Sequence, residues 1–183
     1  MHDAPTLDAI AEKIRELLAR IVDPAVTLEL DAALMKELGL DSLDMIETSF
    51  ALEEFFGFEF SGRNAIEELD RRIGGERILR GGILTELGRQ ALLARMPELR
   101  SVELPAALHA AEIPRYFTIR TYARVIKDYY DAAPDVCPET GEPVALDGFA
   151  LVSERSRRAV AAPTGDRLLD SWLDAKAREH GEA

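Results

Sequence analysis

Apolar residues recurring at helical spacing, in blocks separated by glycine and proline, constrain the fold of this 183-residue chain more than any other feature. Leu7, Ile10, Ile14, Leu17, Leu18 and Ile21 mark one face of a first helix, with Glu12, Lys13, Arg15 and Glu16 opposite. Asp23-Pro24 ends it, because a residue before proline is pushed out of the helical region. A second helix is predicted from about Ser42 to Phe56 and closed by Gly57. Its inward positions are expected to be Leu43, Ile46, Phe50, Leu52 and Phe56, and its outward ones Asp44, Glu47, Ala51 and Glu54. Helical patterns return over Ala65–Ile73, Thr85–Met96 and Phe117–Tyr130, with Gly74-Gly75 and Gly81-Gly82 between the first two. Beyond Asp131 the texture changes, with Pro134, Pro138, Pro143 and Pro163. There Asp147-Gly148 predicts a hairpin turn between Val144–Leu146 and Phe149–Val152. Asp166 is expected to cap a last helix with Leu168, Leu169, Trp172 and Leu173 on one side.

Charge and composition remove several function classes. A net charge of −12 argues against generic nucleic-acid binding, which depends on Lys and Arg neutralising phosphates. Residues 1–60 hold 14 acids against 4 bases, residues 61–130 hold 9 against 12, and residues 131–183 hold 11 against 6. The acidic body is thus the first third. No segment approaches the roughly 20 apolar residues of a membrane-spanning helix, and the first residues have neither basic flank nor apolar core, so a cytoplasmic protein is expected. The single cysteine, Cys137, excludes an internal disulfide. Cys137-Pro138-Glu139-Thr140-Gly141 resembles half a zinc knuckle without its second cysteine pair. With only His2, His109 and His180 besides, no metal site is expected.

Chemistry concentrates between Leu34 and Phe60. Ser42 stands at the first turn of the second helix, after a glycine turn, and from Asp41 to Glu59 there are six acids and no base. Asp44, Glu47 and Glu54 share a face by the three- and four-residue rule. An acidic face without interleaved lysines suits basic partners. A catalytic serine needs an adjacent base, yet the nearest histidine in sequence is His109 and no Gly-x-Ser-x-Gly elbow surrounds Ser42. The tripeptide Asp41-Ser42-Leu43 alone is best read as a helix cap.

The wider segment says more. Leu38-Gly39-Leu40-Asp41-Ser42-Leu43-Asp44, Ile46-Glu47, Ala51-Leu52-Glu53-Glu54 and Phe56, with Thr27 to Asp31 and the first helix, closely resemble the acyl carrier protein family over roughly residues 6–60. The resemblance implies an all-α, four-helix bundle and a non-catalytic carrier. It implies 4′-phosphopantetheine attached at Ser42, with Asp41 and Leu43 beside it and Asp44, Glu47, Glu53 and Glu54 as the partner face. The implied partners are a phosphopantetheinyl transferase and acyl-handling enzymes such as ketosynthases or acyl ligases, and a monomer is expected. The cargo would be acyl or polyketide intermediates of fatty-acid, lipid or polyketide synthesis, held as thioesters. The alternatives are a peptidyl or aminoacyl carrier of a nonribosomal pathway, against which Asp41 and the acidic second helix speak, and a regulatory protein that keeps the carrier fold.

The chain also departs from the family. A usual member is less than half this length. Glu112 to Ile126 resembles the family's ending, so residues 1–130 are expected to form the carrier, with about 62–110 an enlarged or inserted helical connection. The other arrangement makes Asn64–Ile73 the third helix and everything beyond it an addition. Residues 131–183 would then be a loop-rich extension with a hairpin and a helix in either case. Thr48 and Ser49 replace aliphatic residues, which makes the acyl-facing wall more polar, and Phe55 replaces an acid.

Overall fold

The computed structural model describes residues 4–181; His2 and the side chain of His180 lie outside what it describes. Two apolar cores organise the chain. The first is built by α1 (Leu7–Leu18), α2 (Ser42–Phe56) and α5 (Ile119–Ala132). The Thr6 hydroxyl caps α1 by accepting from the Ala9 amide, and the helix buries Ile10, Ala11, Ile14 and Leu18. α5 lies along α1 and contributes Ile119, Tyr122, Ala123, Ile126, Tyr129 and Tyr130. Each such large apolar side chain taken fully out of water stabilises by roughly 1.5–3 kcal/mol. Thr118 and Thr121 form a reciprocal capping box that starts α5 inside the core. The loop between α1 and α2 is pinned to it by the Leu34 amide on the Phe117 carbonyl, the Arg120 amide on the Leu30 carbonyl, and an ion pair from Arg120 to Asp31 at 3.0 Å.

A second core lies across the intervening chain. It joins α3 (Ala65–Ile73), α4 (Glu86–Arg95) and the 3-10 segments Pro97–Ser101 and Ala110–Tyr116 with α6 (Gly165–Gly181), around Leu69, Ile78, Leu92, Leu108 and Leu173. Phe117 packs against both cores. Much of the arginine content of this region is matched locally. Arg63 and Arg72 of the α3 side both reach Asp170 of α6, at 3.0 and 2.8 Å, and Arg72 also pairs with Asp174. Such part-exposed pairs each contribute little to stability but fix how α3 and α6 align.

An all-α architecture does not describe the whole chain. β1 (Leu79–Arg80) and β2 (Ile83–Leu84) pair antiparallel, as do β3 (Val144–Asp147) and β4 (Ala150–Ser153). The Gly81-Gly82 pair, placed by the sequence between two helical blocks, is the two-residue loop of the first hairpin. Both residues have positive φ, 58° and 82°, a demand glycine meets without strain. In the second hairpin Asp147 pairs with Ala150, so the loop is Gly148-Phe149, one residue later than expected. Asp166 does not cap α6. The Arg167 amide donates to the Thr164 hydroxyl at 3.4 Å, and Asp166 instead accepts from the Ser61 hydroxyl at 2.6 Å.

Residues 131–183 also divide. The hairpin region sends Cys137, Val144, Leu151 and Val160 into the first core, where the Tyr130 hydroxyl donates to the Phe149 carbonyl at 2.6 Å. α6 sends Leu169 and Leu173 into the second core. Cys137 is buried, and hydrogen bonds from Ser153 and then Thr140 hold its thiol down to about 7. Among the described residues no helix is long and apolar enough to cross a membrane, and no group of His, Cys, Asp and Glu is arranged to hold a metal ion.

Candidate functional site

Ser42 is the first residue of α2, and the chain before it is held from three sides. Gly39 turns with φ of 77°, open space lying where a Cβ would be, so the backbone angle alone calls for glycine. Leu40 is buried, and its amide donates to the Leu34 carbonyl at 3.0 Å. Asp41 then caps the helix, its carboxylate accepting from the Leu43 and Asp44 amides at 2.7 and 3.0 Å. Asp44 closes the box by accepting from the Asp41 amide at 2.8 Å. Ser42 stands exposed on this rigid corner, outside the capping bonds.

The box has an electrostatic consequence. A helix start usually offers free amides to an anion, but here Asp41 already takes two of them and places two carboxylates beside Ser42. A phosphodiester on Ser42 would therefore project away from the helix end. A mobile arm needs this outward direction, and the exposed hydroxyl fits such a group.

The face beyond Ser42 differs from the one expected. Leu43, Ile46 and Phe50, read as inward, are 61%, 52% and 66% exposed. The residues that face the core are Thr48, Leu52 and Phe56, with Met45 packed beside them. Thr48 is fully buried, and its hydroxyl has no hydrogen-bond partner among the described residues. Ser49 donates to the Met45 carbonyl at 3.0 Å. The outer stripe is thus mixed: Leu43, Ile46 and Phe50 alternate with the exposed acids Glu47 and Glu54. Asp44 is half-buried in the capping box. Glu53, assigned to the partner face, is also half-buried and accepts from the Phe60 amide at 2.8 Å, so it holds the turn after α2. Phe55 is partly covered, its ring 5.8 Å from Phe149 and under the Lys13 ammonium at 5.5 Å.

His109 offers Ser42 no base that the site could use. It packs over Gly82 and caps the segment Ala110–Tyr116 through Nδ1, as part of the second core's framework.

Comparison with known proteins agrees with this geometry. Residues 12–69 match the family model described as the phosphopantetheine attachment site. The acyl carrier protein of Coprothermobacter proteolyticus is 40% identical over 55 residues, covering 27% of this chain and 67% of that protein. The acyl carrier protein of Solidesulfovibrio magneticus is 38% identical over 58 residues, covering 31% of this chain and 74% of that protein. No solved structure matches the chain. A capped helix presenting an exposed serine within a phosphopantetheine attachment region defines a carrier, a class that binds its cargo covalently and catalyses nothing itself. The chain belongs to the acyl carrier protein family.

Proposed function

We propose that Ser42 bears the 4′-phosphopantetheine and that the protein carries acyl or polyketide intermediates on it as thioesters. It delivers them in the cytoplasm to the enzymes of a fatty-acid, lipid or polyketide pathway. The prosthetic group supplies a terminal thiol; the chain supplies a fixed corner, an outward direction and a docking face. The observation that carries this reading is the exposure of Ser42 on a doubly capped helix start within residues 12–69. A phosphopantetheinyl transferase is the first partner, and ketosynthases or acyl ligases follow. They would meet the exposed stripe of Leu43, Ile46 and Phe50 with Glu47 and Glu54, where apolar area gives affinity and charge gives steering. The carrier proper comprises residues 1–130, closed by α5 rather than α3, with about 62–110 as the inserted connection and 131–183 as an extension that covers both cores.

Co-expression with a promiscuous transferase followed by intact-mass measurement tests the assignment. One phosphopantetheine should be added to the wild-type chain and none to Ser42→Ala. A wild-type chain left unmodified beside a control carrier that is modified refutes it.

A further inference from the structure

A cavity of about 300 Å³ lies where the two cores meet. That is the lower end of the range for small-molecule sites. Ser49 of α2 and Val125 of α5 wall one side, and Leu92, Ile113 and Leu169 wall the other. Ser49 and the lining stretch from Phe60 to Ile66 lie within the matched region 12–69, whereas Leu92, Ile113, Val125 and Leu169 lie beyond it.

Glu98 distinguishes this space from a packing gap. It lines the cavity with a side chain only 4% exposed. Its Oε2 accepts from Arg124 Nε at 2.6 Å, while its Oε1 is buried without a partner among the described residues. A buried charged oxygen with no donor is among the costlier arrangements a fold can hold, and it calls for a ligand that donates. The remaining charges on the wall are matched: Arg95 with Asp128 at 2.9 Å, and Arg63 with Glu68 and Asp170 at 3.0 Å each. With Glu98 already balanced by Arg124, a cationic ligand would bring excess charge and an anionic one would face a carboxylate. A neutral donor satisfies Oε1 and leaves every pair intact.

The attachment corner is within reach. Ser49 follows Ser42 by seven residues, nearly two turns, so both lie on the same side of α2 about 10 Å apart along its axis. An extended pantetheine arm is longer than that. Gly62 and Pro114, both exposed, belong to the cavity's rim.

We propose that this cavity receives the free end of the group tethered at Ser42, and that Glu98 selects an acyl group bearing a hydroxyl. The proposal rests on the assignment of Ser42 above and adds the class of cargo. The full-length apo chain is loaded by a promiscuous transferase from two coenzyme A thioesters of equal length, one 3-hydroxyacyl and one unsubstituted, so that Ser42 Oγ takes the acyl-phosphopantetheine and adenosine 3′,5′-bisphosphate leaves. Rates of hydroxylamine cleavage are then compared, each normalised to the same thioester free in solution. The hydroxyacyl form should be cleaved roughly tenfold to a hundredfold more slowly, the range of one net hydrogen bond to a charged group. Glu98→Leu should bring the two rates together. Glu98→Gln keeps the side chain's shape, but with its one carbonyl oxygen held by Arg124 Nε it turns an NH2 toward the cavity, where the ligand hydroxyl can only accept. It should therefore retain at most part of the difference. Trp172 is the only tryptophan, and Arg95 of the cavity wall sits over its ring at 5.7 Å, so its emission should shift on hydroxyacyl loading and shift less in Glu98→Leu. A chain that gains no mass on loading overturns the Ser42 assignment and this proposal together. A chain that loads but cleaves both thioesters at equal normalised rates overturns this proposal alone, as does a preference that survives Glu98→Leu undiminished.

Discussion

Ile126→Ala tests whether α5 is structurally part of the carrier. Ile126 is fully buried in the core that α5 shares with α1 and α2. Truncation to Ala removes three carbons there, and a buried Ile or Leu reduced to Ala costs about 2–5 kcal/mol, through lost transfer energy and the space left behind. Against a total stability of about 5–15 kcal/mol this is a large fraction. For a chain of this size each kcal/mol moves the melting temperature by about 2–4 °C, so a fall of about 4–20 °C is expected. Thermal melting followed by circular dichroism reads it directly, and the rate of Ser42 modification at 25 °C should be unchanged because the native state still dominates. Leu92→Ala, in the second core, should lower the same single transition by a similar amount, because Phe117 is packed into both cores. A change below about 2 °C for Ile126→Ala would remove α5 from the carrier and leave Asn64–Ile73 to complete it. Two separate transitions, with Leu92→Ala moving only one, would refute the coupling of the cores.

Other perturbations follow from particular residues. Thr48→Val replaces a buried, unpartnered hydroxyl with a methyl group of similar size, so it should stabilise by about 1–2 kcal/mol and raise the melting temperature by about 2–8 °C; a destabilised variant would mean that the hydroxyl is satisfied in solution. Reversing Glu47 and Glu54 to lysine should slow modification by the transferase at low ionic strength and recover with salt, while melting changes little, because both are exposed and steer rather than hold; equal rates for variant and wild type at low salt would take the docking surface away from this stripe. Asp44 is unsuitable for that test, since reversing it also breaks the capping box. Burial pushes the Tyr129 and Tyr130 hydroxyls up, with the charge of Glu53 adding to the effect at Tyr129. Their contribution to stability is complete below the unfolded value near 10 and is lost as the pH climbs beyond it, so melting should hold steady to about pH 10 and then fall. A phenol titration near 10 with no loss of stability above it would contradict their burial.

The capped corner at Ser42 was legible in the sequence because its signals are local. Glycine before a cap, an aspartate that can accept two amides, a second aspartate three residues later and a serine between them specify their geometry within six positions. The amphipathic helices were equally legible: α1 buries Ile10, Ile14 and Leu18, and α5 buries Tyr122, Ile126 and Tyr129, at the spacing the sequence shows. The second hairpin was legible to within one residue of its turn, whereas the first hairpin, the cap of α6 and the second core were not. Leu79–Arg80 and Ile83–Leu84 are too short to show alternation, and their pairing depends on two glycines of positive φ. α6 docks on α3 through partners more than ninety residues away, such as Arg72 with Asp170, and no local pattern announces such a distance.

The misreading of α2 lies in the phase of the helix, and the docking role proposed for its outer stripe accounts for it. Helix phase is read from sequence by assuming that apolar residues face inward, and this holds only where the outer face has no task of its own. α2 is apolar on two sides. Inward it places Leu52 and Phe56 together with the polar Thr48, and outward it leaves Leu43, Ile46 and Phe50 in water beside Glu47 and Glu54. An exposed apolar stripe costs solubility, and a buried lone hydroxyl costs stability. A helix selected for folding alone would exchange them. On the docking role proposed above, the arrangement suits a helix that several enzymes recognise in turn and then release. Apolar area supplies contact that tolerates different partners, and the acids supply orientation that fades once the complex forms and is screened. Sequence periodicity therefore failed at the helix next to Ser42, whose outer face keeps Leu43, Ile46 and Phe50 in water while Thr48 takes a place in the core.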